Sequence, residues 1–132
     1  MGGPKEGRAS GPTKGETTIQ SKVGPEARPS SESLLRLLGL GMRAGNVVVG
    51  VDGLRTALQH DEVVCVVLAK DVSDRAMEKV GRLALGKQLP VLEGPDAATL
   101  GDRLGRPPVQ AVGVKDRALA DGIVRAARPW ST

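Results

Sequence analysis

The run Val63-Val64-Cys65-Val66-Val67-Leu68-Ala69 constrains this chain more than any other feature. A half-exposed strand alternates apolar and polar residues, whereas a strand apolar at every position must be covered on both faces. The chain therefore needs a sheet with one layer of structure above it and another below. Helical patterns on either side of the run supply both layers. After Ser30-Ser31-Glu32, a serine N-cap with an acid in the first turn, Leu34, Leu35, Leu38 and Met42 form a helical stripe that ends at Gly45. Leu54, Ala57 and Leu58 recur at i, i+3 and i+4. Ser73 caps a third helix carrying Ala76, Met77, Val80, Leu83 and Ala84, with Glu78 and Arg82 paired at i,i+4 on its outer side. Gly94-Pro95-Asp96 turns into a fourth helix with Ala97, Leu100 and Leu104, and Asp116 caps a fifth that Pro129 stops.

Short strands at 46–49, 89–92 and 109–114 lie between these helices. The alternation predicts a three-layer α/β/α sandwich around a small, mixed, mostly parallel four-stranded sheet. The 132 residues suit one domain. Residues 1–29 hold only Ile19 and Val23 as large aliphatics and are otherwise rich in Gly, Pro, Ser, Thr and Lys, so they are expected to be a disordered basic tail. The domain is placed at 30–128 and a short C-terminal tail at 129–132. The tail holds five basic residues (Lys5, Arg8, Lys14, Lys22, Arg28) and three acidic ones (Glu6, Glu16, Glu26) of the chain's 19 and 15, leaving 14 and 12 for the rest. The domain is close to neutral, so any affinity for a polyanion must come from local clustering.

Composition removes several function classes. One cysteine excludes an internal disulfide and a multi-cysteine metal site, and one histidine argues against a zinc site or a Ser-His-Asp triad. Cys65 reads as a small core residue and His60 as a solvated helix end. Lys70, Asp71 and Asp74 read as a charge cluster at a helix start. Gly39-Leu40-Gly41-Met42-Arg43-Ala44-Gly45 is one residue too long for a dinucleotide fingerprint and follows a helix, not a strand. With Trp130 the only aromatic residue, base-stacking platforms are absent. No stretch is apolar enough for a membrane span or a secretory signal, so a cytoplasmic protein is expected. What remains is a set of connecting segments, Gly50 to Arg55, Lys70-Asp71 and Arg106-Pro107-Pro108, beside helix starts whose free N–H groups suit phosphate oxygens.

Three segments carry a resemblance that spans most of residues 32–127. Leu34-Leu35-Arg36-Leu37-Leu38-Gly39-Leu40-Gly41-Met42-Arg43-Ala44-Gly45 followed by Val48-Val49-Gly50, then Val66 to Ser73, then Leu100-Gly101-Asp102-Arg103-Leu104-Gly105 resemble, in order and spacing, the kink-turn RNA-binding ribosomal-protein superfamily. This is the L-seven-Ae, L-thirty-e, S-twelve-e and Gadd superfamily, in its bacterial ribosome-associated branch. The resemblance implies the same sandwich and a non-enzymatic protein with no cofactor, metal or small-molecule substrate. Its partners would be structured, kink-turn-like RNA, ribosomal RNA and the ribosome. It also implies an RNA-binding set of Gly50, Asp52, Gly53, Arg55, Thr56, Lys70, Asp71, Arg106, Pro107, Pro108 and Val109. Within that set Gly50 matches the family's Gly-x-Asn-Glu-x-x-Lys, while Asp52, Gly53 and Thr56 stand where Asn, Glu and Lys are usual. An Asp carboxylate cannot donate a hydrogen bond to a base edge as an amide does. Two other readings stay open. One is a protein-interaction module that kept the fold and lost RNA binding; the other is an accessory RNA-binding domain acting with an RNA-modifying enzyme.

Overall fold

The computed structural model describes residues 31–131, so the expected tail at 1–29 lies outside the described residues. In chain order the elements are α1 (Ser31–Arg43), β1 (Val47–Val49), α2 (Val51–Gln59), β2 (Cys65–Leu68), α3 (Asp74–Ala76), a π-helical turn (Met77–Gly81), α4 (Arg82–Gly86), β3 (Val91–Glu93), α5 (Ala97–Leu104), β4 (Ala111–Val114), α6 (Arg117–Ala126) and β5 (Arg128–Pro129).

β2 decides the layering, as the apolar run requires. Cys65 and Val67 enter one cluster with Leu34, Leu38, Leu100, Leu104 and Ile123, from α1, α5 and α6. Val66 and Leu68 enter the other, with Leu54, Leu58, Val80 and Ala84, from α2, the π turn and α4. Each fully buried Leu or Val contributes roughly 1.5–3 kcal/mol. Among the described residues no polar or charged side chain is buried. Capping follows the expected residues: Ala76 N–H donates to Ser73 Oγ at 3.1 Å and Leu119 N–H to Asp116 Oδ2 at 2.8 Å.

The three-layer α/β/α class holds, but the sheet differs from expectation in two ways. It has five strands in the order β1-β4-β2-β3-β5, and only β2 and β3 pair in parallel, the other three pairings being antiparallel. Alternating helices and strands reveal layers, not strand direction. A strand connected by one full helical crossover runs parallel to its predecessor, but α5 is followed by a returning segment, 105–110. That segment brings the chain back to where α5 began, and Val109 N–H donates to Ala97 O at 3.0 Å. β4 therefore starts at the edge where β3 ends, and it must run the other way.

The fifth strand corrects the expected 129–132 tail. α6 ends at Ala126, and Arg128 and Pro129 pair with Glu93 and Leu92. Trp130 N–H then donates to Val91 O at 2.8 Å. Proline has no N–H for a ladder, so it is tolerated on an edge strand, which β5 is.

Candidate functional site

The directions of the strands gather three separated segments. The C-terminal ends of β1, β2 and β3 and the N-terminal end of β4 share one edge of the sheet, so the loops holding Gly50, Lys70-Asp71 and Arg106 to Val109 converge there. Backbone hydrogen bonds tie them together. Gly50 N–H donates to Ala111 O at 3.0 Å, Ala69 N–H to Gln110 O at 2.9 Å, and Lys70 N–H to Pro95 O at 3.2 Å.

Gly50 has φ 102° and ψ 155°, a conformation open essentially to glycine alone, and it turns the chain from β1 directly into α2. As N-cap it has no side chain to bond the helix, so the first-turn N–H groups of Val51, Asp52 and Gly53 are left for an outside acceptor. Asp52 and Gly53 are exposed in that turn. Thr56 donates its hydroxyl back to Asp52 O at 3.2 Å, and Arg55 is exposed on the outer face of the helix.

The Arg106–Pro108 loop is held by a different device. Arg106 N–H donates to Gly101 O at 2.7 Å, and a Cβ on Gly101 would collide with the carbonyl of Pro107. Gly101 is the point at which α5 and the loop backbone touch. Arg106, Pro107 and Pro108 project into solvent, whereas Val109 is buried in the core with Leu104 and Ala97. Val109 was expected at the interface; its side chain instead anchors the loop, because the residue entering β4 must fill the layer beneath α5. Asp71 is likewise engaged internally, its Oδ1 accepting Ala97 N–H at 2.8 Å.

The structure adds residues that sequence reasoning missed. Gln110 Oε1 accepts Ser73 N–H at 2.7 Å and so joins α3 to the returning segment. Ser73, Arg75, Lys79 and Gln110 line a depression of about 180 Å3 together with Val51 and Asp52. Lys79 Nζ lies 3.5 Å from Asp52 Oδ1. The i,i+4 spacing of Arg75 and Lys79 on the outer side of the third helix was the available signal. Arg55, Lys70, Arg75 and Arg106 are exposed and form no ion pair with another described residue. The edge thus gathers cations against Asp52, Asp71 and Asp96. The hydroxyl and amide of Thr99 hold the Asp96 carboxyl below its ordinary range, with a smaller contribution from the charge of Lys70.

Nothing here assembles a nucleophile. Burial pushes the Cys65 thiol up to about 12, far from a reactive thiolate. Among the described residues no group of three His, Cys, Asp or Glu side chains could hold a metal ion, and no helix is long and apolar enough to cross a membrane.

Comparison with known proteins bears on the family and the fold. Residues 32–123 match the family described as ribosomal protein L7Ae/L30e/S12e/Gadd45. An RNA-binding protein, BH0128, of Halalkalibacterium halodurans is 35% identical over 63 residues, covering 48% of this chain and 77% of that protein. A solved structure of a protein with unknown function from Bacillus halodurans C superposes with a TM-score of 0.60 at 30% identity, over 74% of this chain and 98% of the other. The Giardia lamblia 15.5kD RNA binding protein superposes with a TM-score of 0.59 at 19% identity, over 79% and 93%, a likeness of fold alone.

Proposed function

This chain belongs to the ribosomal protein L7Ae/L30e/S12e/Gadd45 family, and from that premise we propose that it binds structured RNA without catalysing a reaction. The observation that carries the reading is the convergence of Gly50–Thr56, Lys70 and Arg106–Pro108 on one sheet edge. The uncapped start of α2 presents N–H groups to phosphate oxygens. Lys70, Arg75 and Arg106 neutralise further phosphates, and Pro107-Pro108 gives a stiff apolar surface for an unstacked base. A bent RNA of the kink-turn kind, whose backbones crowd together, suits so short a cationic edge; ribosomal RNA in the cytoplasm is the source we propose.

Asp52 tempers this affinity. It accepts where an amide could also donate, and it occupies Lys79. The test is binding of a kink-turn RNA and a plain duplex across a salt series. Lys70→Ala and Arg106→Ala should each lower the salt slope by about one unit. Asp52→Asn should raise kink-turn affinity about tenfold, within the range of one added base contact. Loss of neither slope nor affinity in the cation variants would move the protein to the interaction-module reading.

A further inference from the structure

A second basic surface leaves the edge along α1 and α5. Leu35, Arg36, Gly39, Leu40, Arg43 and Arg103 line a depression of about 240 Å3 between these helices. Arg36 and Arg43 are seven residues apart, two turns of α1, and so stand on one side of the helix about 10 Å apart along its axis. Both are exposed, and although the charge of Arg36 reaches Glu32 one turn away, the Glu32 carboxylate is held by Arg103. Arg103 is held in place: its Nη1 and Nη2 donate to Glu32 Oε1 and Oε2, each at 2.8 Å. Glu32 and Asp102 are the acids beside this groove, so the arginines outnumber them. Leu40, 53% exposed, lines it beside Gly39, where no side chain fills the space. The surface continues into the edge through the chain itself, because Arg103 lies in the last turn of α5 and Arg106 follows three residues later in the edge loop.

We propose that this α1–α5 groove is a second RNA contact, taking the phosphate backbone of a stem that extends beyond the segment seated on the edge. The inference rests on the RNA-binding reading above. Its argument is charge and shape: Arg36 and Arg43 lie about 10 Å apart along α1, so the two guanidinium groups reach two different phosphates of one RNA strand rather than sharing a single one. The bidentate Glu32 pair orients the Arg103 fork at the mouth of the groove and leaves the other two guanidinium groups for phosphate. A shallow, unspecific groove of this kind contributes affinity and register, not sequence choice.

The experiment uses the full chain and two kink-turn RNAs, one trimmed to short stems and one with a single stem extended by a helical turn or more. The wild-type protein should bind the extended RNA more tightly and with a steeper salt slope. The double variant Arg36→Gln with Arg43→Gln should lose about two units of that slope on the extended RNA and leave the short RNA unchanged. Both positions are exposed, and an unaltered thermal midpoint will show that the fold is kept. Equal binding of the two RNAs by wild type, or an extended-stem slope unmoved in the double variant, overturns the groove while the edge reading stands. Failure of the wild-type protein to bind either RNA overturns both.

Discussion

Two helices begin at the same edge of the sheet, and they treat their first turns in opposite ways. α5 is closed from within: Asp96 caps it through Thr99 N–H at 3.1 Å, and Asp71 takes Ala97 N–H at 2.8 Å. α2 is capped by Gly50, which has nothing to offer its N–H groups. A helix start satisfied by two carboxylates repels a phosphate, while one without a cap invites it. Proximity to the edge therefore does not leave a side chain free for a ligand. Asp71, which the family resemblance placed there, secures the neighbouring helix so that the Arg106 loop has a fixed base.

The largest effect should come from forcing a side chain into the open helix start. No atom lies within 4 Å of where a Cβ on Gly50 would stand, so Gly50→Ala tests the backbone alone. It should cost about 2 kcal/mol in urea unfolding, from the φ of 102°. A near-neutral result would mean that the turn into α2 is not held as described. Opening the closed helix start should cost less: Asp71→Ala should lower stability by about 1–2 kcal/mol, the usual cost of leaving a helix N–H without its charged acceptor. RNA affinity should hold or rise, since an acid leaves the edge. A fall in affinity without loss of stability would give Asp71 a direct role.

The smallest effect separates the two starts by pH. Asp96 titrates below the ordinary carboxylate range, chiefly through its hydrogen bond with the Thr99 hydroxyl. Its stabilising contribution is present above the unfolded carboxylate value, about pH 4, and is lost as pH falls through the lower folded value. Thermal midpoints should therefore drop more steeply below about pH 4 in the wild-type protein than in Asp96→Asn. Parallel curves would show that the cap does not depend on charge.

The layering and the helices were legible in the sequence because their signals are local. The apolar run at 63–69 demanded cover on two sides, and Ser73 and Asp116 announced their helices. Strand direction was not legible, since nothing in Ala97–Leu104 says that residues 105–110 will carry the chain back to its starting edge. β5 was hidden because Pro129 signals a helix stop as readily as an edge strand. Within the candidate site, the family pattern proposes Gly50 and the exposed prolines. Gln110 lies outside that pattern, because its importance comes from Ser73, a partner far away along the chain. Val109 looked like interface by position and is core by contact, a distinction that only packing against α5 reveals.

The position of β4 has a consequence for how the protein is made. This strand fills the gap between β1 and β2, yet it follows both of them in the chain, with α2 to α5 in between. Until residues 111–114 emerge, β1 has no neighbour to pair with and the Gly50 turn has no Ala111 carbonyl to hold it. A nascent chain that already displays α1, α2 and β2 therefore has Arg55 but neither the later cations nor the paired edge. Pairing across so long a stretch of chain is slow compared with forming a helix. Binding competence should arrive in a single step, when residues 111–114 insert into the middle of the sheet.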